Sequence, residues 1–301
     1  MSILRLVKGT INKIVRRSYW YNEIRYPDCS KFWNYRTFNT DLVNLGSTSG
    51  LKAFDYDGIS LKCGNWALRA NPLLGDLSVL RNYFSFLKEN NATVIIPLCP
   101  FSSLSGSYSI TEDRYYTILY PSTIPHFSLR RHRTILNEKN NPSSAFPVTA
   151  LFMRKKSKCL KRLTEQQMLE DAERWIKNWK KEFSITDFSY QLSMVNQDGI
   201  EDAAKIINEI ITFCKERNIR PVMLIPPVYH TLGEQFSPEI RKIVIDSLIS
   251  KIDDKTVWYK NYMDHQGFTN DITLFENSYL LNKNGAKKFT QIVLKDIGVI
   301  E

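Results

Sequence analysis

The chain is short of histidine, short of cysteine and free of long apolar runs, and each shortage removes a class of protein. Only four histidines occur in 301 residues, His126, His132, His230 and His265, so a histidine-based centre has few candidates. The five cysteines, at positions 29, 63, 99, 159 and 214, form an odd set without paired spacing. That argues against a disulfide framework and for a reducing, cytoplasmic setting. Cys63, Cys99 and Cys214 lie in apolar stretches and read as small buried hydrophobes. No run of about eighteen apolar residues occurs, so no membrane-spanning helix is expected. Zinc-finger spacing, an RNA-binding aromatic motif and a basic zipper are all missing, which leaves nucleic acid an unexpected partner. No cluster has metal-ligand spacing, and no cofactor is expected.

What is present suits one sizeable α/β core. Hydrophobic residues make up 43% and charged residues 24% of the chain, ordinary values for a globular domain. The net charge of +10 is concentrated in "SLRRHRT" (128–134) and "RKKSKCLKR" (154–162), which read first as solvated loops. The opening "MSILRLVKGTINKIVRRSYW" carries an apolar stripe, Ile3, Leu6, Val7, Ile11, Ile14 and Val15, with basic residues between. It is too charged for a signal-peptide core. Residues 1–30 are therefore expected to form a basic amphipathic segment. It either contacts an anionic membrane surface peripherally or packs on the domain formed by 31–301.

Short apolar strands alternate with longer helical patterns. Strands are expected at 41–46, 58–64, within "ATVIIPLCP" (92–100), within "RPVMLIPP" (220–227) and at "TVWYKN" (256–261). Helices are expected at 75–91, 163–183, 198–218, near 237–252 and from Asn284 onward. Thr164 and Gln167 are spaced as a capping box, and Leu169, Ala172, Ile176 and Trp179 form a stripe read as core. Residues 102–160 read as an irregular insertion. This alternation implies right-handed crossovers and a mostly parallel sheet covered on both faces, with the site at the carboxyl ends of the strands.

The loop after the first strand, "NLGSTSG" (44–50), sets small hydroxyl residues between glycines at a strand-to-helix turn, where a nucleophile and an oxyanion pocket can be built. It is neither the G-x-S-x-G elbow nor a phosphate loop, which would carry a lysine. Asn65 after the second strand is a candidate oxyanion or substrate donor. Ser102, Ser103 and the paired carboxylates Asp55 and Asp57 are weaker candidates, each with a turn role as the simpler explanation.

"NLGSTSGLKAFDYDG", "GNWALRANPLLGDLSVLRNY", "ATVIIPLCPFSS", "RPVMLIPPV" and "FENSYLLNKNGAKKF" together resemble the SGNH/GDSL-hydrolase-like family, over about Asp41 to Ile297. They are similar to the stand-alone, DltD-like proteins of bacterial polysaccharide clusters. The resemblance implies a three-layer, flavodoxin-like α/β fold and an acyl-ester chemistry on surface glycans. It puts the nucleophile position at Thr48, next to Ser47 and after Gly46. The aspartate and histidine positions of the last motif become Asn277 and Leu280, whereas Leu281, Asn282, Gly285 and Ala286 match. Leucine cannot carry a proton, so the motif keeps its scaffold and loses its base. Two readings follow. One is a degenerate member that binds carbohydrate or a partner in the old cleft. The other is an active esterase or O-acetyltransferase in which His230, or His265 beside Asp264, serves Ser47 or Thr48 as a relocated base.

Overall fold

The computed structural model describes residues 3–29, 32, 37–104, 111–153, 162–185 and 192–300. The basic cluster at 154–161 and Cys159 lie outside the described residues. In chain order the principal elements are α1 (Ile3–Arg17), β1 (Leu42–Asn44), α2 (Thr48–Ala53), β2 (Cys63–Asn65), α3 (Leu73–Tyr83) and β3 (Thr93–Pro97). Then come α4 (Leu129–Asn140), α5 (Glu165–Glu182), α6 (Met194–Lys215), β4 (Arg220–Ile225), β5 (Trp258–Asn261) and α7 (Lys283–Asp296). Between β4 and β5 the chain runs through a helical stretch broken by a π turn at Lys242–Asp246.

The five strands pair in the order β2-β1-β3-β4-β5, every pair parallel. This is the doubly wound, flavodoxin-like order, and the expected α/β class holds. Alternation along each strand explains the three layers. Val43, Val94, Ile96, Met223 and Ile225 point to one face, against α3 through Leu77 and Leu80 and α6 through Ile207 and Ile211. Leu42, Ile95, Val222 and Leu224 point to the other, against α2 through Ala53 and α7 through Phe289, Val293 and Leu294.

Local chemistry sets the element ends. The Thr164 hydroxyl accepts from the Gln167 amide at 3.3 Å and the Gln167 side chain accepts from the Thr164 amide at 3.0 Å, so the expected capping box starts α5. At α7 the Asn282 side chain accepts from the Asn284 and Gly285 amides and donates to the Thr273 and Phe275 carbonyls. Gly285 is required there, because an added Cβ would lie 2.1 Å from the Leu274 carbonyl oxygen. Asn282 and Gly285 thus serve as a helix cap and a close backbone approach.

Three expectations are corrected. The second strand covers only Cys63–Asn65. The paired part of its neighbour β1 spans Leu42–Asn44, so the register offers partners to three residues alone. The arginine-rich stretch from Ser128 is no loop: it starts α4, where the Ser128 hydroxyl accepts from the Arg131 amide. Its apolar signal was faint because only Ile135 and Glu138 of that helix are buried. Glu138 pairs with Arg25. On α5 the inward face is Met168, Asp171, Ala172 and Trp179 rather than a stripe through Leu169.

Candidate binding cleft

The cleft begins with β1. Its Asn44 side chain donates to the carbonyls of Leu45 and Gly50 and to the side-chain oxygen of Asn65, and it accepts from the Tyr56 hydroxyl. This fixes the strand-to-helix turn from below. Gly46 then adopts φ +111°, a conformation that strains any residue with a Cβ. Its amide donates to Asp76 Oδ1 at 3.1 Å. Ser47 and Thr48 follow at the start of α2, both half-buried.

From that turn a cavity of about 350 Å³ opens along the carboxyl ends of β1 and β3, the switch point where a doubly wound sheet holds its ligand. Ser47, Thr48 and Ser49 line one side; Asn71, Asp76, Cys99 and Ser102 line the floor and far side. Trp175, Trp179 and Phe183 of the α5 region, with Phe101 and Tyr279, form an aromatic wall, and Glu182 joins the lining. Trp175 and Trp179 have ring centroids 5.3 Å apart, and Tyr279 meets them edge-on at 5.0 and 5.1 Å.

Tyr279 is held in this wall by its neighbours. Asp171 on α5 accepts from the Ser278 amide at 3.1 Å and from its hydroxyl at 2.7 Å, and its other oxygen pairs with Arg174. Burial, followed by the adjacent Cys99, raises the Tyr279 phenol well above its ordinary value, while hydrogen bonding from Ser49 pulls it back. Burial likewise raises the Cys99 thiol, against hydrogen bonding from Ser102, the Phe101 backbone and Tyr279. Both groups therefore stay protonated near neutrality, and Cys99 is a poor nucleophile.

Asp76 is the unusual ionisable group. Burial pushes its carboxyl up to about 7, against the Gly46 amide and the Asn71 side chain, which favour the charged form. The Asn71 amide donates to Oδ1 at 2.6 Å. Gly46 reaches the same oxygen, so Oδ2 has no protein donor among the described residues. Asn71 Oδ1 and Trp175 Nε1 are also without hydrogen-bond partners. A buried acceptor and a buried donor on lining residues are thus left unsatisfied, an arrangement that costs stability unless a ligand or water meets them.

The predicted site residues divide. Gly46, Ser47 and Thr48 are brought together at the turn, with Ser47 and Thr48 facing the cavity. Asn65 is not a substrate donor: its amide serves the Leu51 and Phe54 carbonyls and its oxygen accepts from Asn44 and Ala67. Asn277 spends its side-chain oxygen on the Tyr279 and Leu280 amides, a local turn, and Leu280 is buried outside the cavity lining. His230 Nε2 lies 2.7 Å from Glu165 and Nδ1 3.2 Å from Glu234. His265 Nδ1 accepts from the Gly267 amide and caps a short helical turn. Neither ring lines the cavity that Ser47 and Thr48 line. The physical reason is local: the His230 ring is held between Glu165 and Glu234, and the His265 ring turns back on its own helical turn. Asp55 and Asp57 neighbour Lys283 and also lie outside the cavity. Ser102 accepts from the Cys99 amide at 2.9 Å; Ser103 is buried and outside the lining.

Sequence reasoning missed Asp76, Asn71, Tyr279 and Trp175. Asp76 carried a signal, an acidic residue inside an otherwise apolar helical face. Among the described residues no group of three or more His, Cys, Asp or Glu side chains could hold a metal. No family model and no curated protein sequence matches the chain. The fold and site define a class on their own terms: a doubly wound parallel α/β protein with an aromatic-walled cleft at its switch point.

Proposed function

We propose that this is a degenerate SGNH-hydrolase-like protein of bacterial surface-glycan metabolism that binds carbohydrate without cleaving it. The observation that carries the reading is the lining of the cleft. Aromatic side chains share that lining with hydroxyl and amide groups, the combination that grips a sugar by its apolar ring face and its hydroxyls. The absence of lysine and arginine from that lining among the described residues favours a neutral sugar over an acidic one. All four histidines are described, and none lines the cleft, so Ser47 and Thr48 have no imidazole to take their proton. Losing the base of a hydroxyl nucleophile costs on the order of 10⁴-fold or more in rate.

The test is paired. Purified protein is screened on an array of neutral bacterial oligosaccharides, and the same preparation is assayed for release of nitrophenol from 4-nitrophenyl acetate. Retention of a neutral glycan, with ester cleavage at the buffer rate, is expected. Glycan-independent ester turnover with no array signal would sink the reading.

One observation favours a second reading as an esterase or O-acyltransferase. Asp76, poised near neutrality, lies in the same cleft as the two hydroxyls, and such a carboxyl is a competent general base. That enzyme would lose turnover in Asp76→Asn and keep it in His230→Ala and His265→Ala.

A further inference from the structure

The helix α1 is attached to the protein the wrong way round. Its sequence is strongly amphipathic, and a surface helix ordinarily buries its apolar stripe. Here Asn12 and Val15 are buried at 7% and 3% exposure, while Leu6, Val7, Ile11 and Ile14 are exposed at 54%, 51%, 45% and 65%. The inward contacts are largely polar. Asn12 Oδ1 accepts from the Ser143 amide at 3.0 Å, and the Arg16 guanidinium donates to the Lys139 and Asn140 carbonyls at the end of α4. Val15 adds a small cluster with Trp20 and Ala150. The turn that carries Ala150 holds two more exposed apolar side chains, Val148 and Phe152.

The charge around this outward stripe has one sign. The helix contains no acidic residue. At about 100° per residue, Lys13 and Arg17 fall along the Leu6 edge of the stripe, whereas Lys8 falls on the side of the buried Val15 and Asn12. All three cations are exposed. No helix among the described residues is long and apolar enough to cross a membrane, so an apolar stripe rimmed by cations fits a helix lying in the plane of a bilayer surface. We propose that α1 docks the protein on an anionic lipid bilayer, with Leu6, Val7, Ile11 and Ile14 in the acyl boundary and Lys13 and Arg17 on the headgroups. The polar seating of Asn12 and Arg16 holds the helix in place on the protein and leaves the stripe to the lipid.

The experiment is flotation of the full chain with phosphatidylcholine vesicles, with and without phosphatidylglycerol. Two rim cations, each favouring an anionic surface about fivefold, give a preference on the order of 25-fold for the phosphatidylglycerol vesicles at low salt. That preference should shrink as salt is raised. Leu6→Glu with Ile14→Glu, both on the solvent side, should lower partitioning at least about tenfold with thermal unfolding unchanged. Lys13→Ser with Arg17→Ser should remove most of the lipid selectivity. Any of three results overturns the proposal: wild type remaining in solution with phosphatidylglycerol vesicles, the Leu6/Ile14 variant floating as well as wild type, or wild type sedimenting as a dimer that this variant splits. The last would make a second copy the occupant of the stripe.

Discussion

Replacing Asp76 with asparagine should change how stability depends on pH. The folded protein keeps this carboxyl protonated up to about pH 7 because it is buried beneath the Gly46 turn. In the unfolded chain the same group releases its proton near the ordinary 3.8. Between those values the native state binds the extra proton, so stability falls as pH rises and levels off above about 7. At about 1.4 kcal/mol per pH unit, the loss attributable to Asp76 is about 4 kcal/mol. Asparagine keeps an oxygen for the Gly46 amide and the Asn71 side chain without ever ionising. Urea unfolding of wild type and Asp76→Asn at pH 5 and pH 8 isolates the effect, since other titrating groups cancel in the difference. The variant should gain on wild type by most of that amount as pH is raised. A difference that stays flat across the range, or one that favours wild type at pH 8, would refute the buried, proton-retaining carboxyl.

Other expectations are simpler to check. His230→Ala should leave ligand binding and ester turnover unchanged and cost under about 1 kcal/mol in urea unfolding, because it removes contacts with two exposed glutamates. Asn282→Ala should cost about 2 kcal/mol, the helix cap together with the two carbonyl partners it strands, with the loss read from thermal unfolding. Asp171→Ala should destabilise by about 2 kcal/mol and release Tyr279 from the aromatic wall; tryptophan fluorescence of Trp175 and Trp179 should then shift.

The sheet was legible in the sequence because buried parallel strands leave short apolar runs. "TVIIP" and "RPVMLI" became β3 and β4 with bounds close to those expected. The capping box at Thr164 is a local signal and held for the same reason. What escaped was set by tertiary contact. α4 buries too few side chains to show a period, and Trp179, expected in the core, is buried and also borders the cleft. The site was half legible. Gly46, Ser47 and Thr48 were identified from a turn whose conformation only certain residues accept. Asn65 and the histidines were misplaced because hydrogen-bond partners decide where a side chain ends up, and most of those partners lie elsewhere in the chain. Asp76 was overlooked for the complementary reason: a buried carboxyl inside a helix becomes a site residue only when another loop lays its backbone across it.

The proposed docking of α1 on lipid does not depend on the cleft, and the cleft is central. The measurement that tests it most directly is calorimetric titration of an array-selected neutral oligosaccharide into wild type and Trp175→Ala. Saturable binding at one site per chain is expected, weakened about tenfold in the variant by loss of an aromatic face. No heat with any neutral glycan, together with acetate released from an O-acetylated one, would contradict the account and make the protein an enzyme.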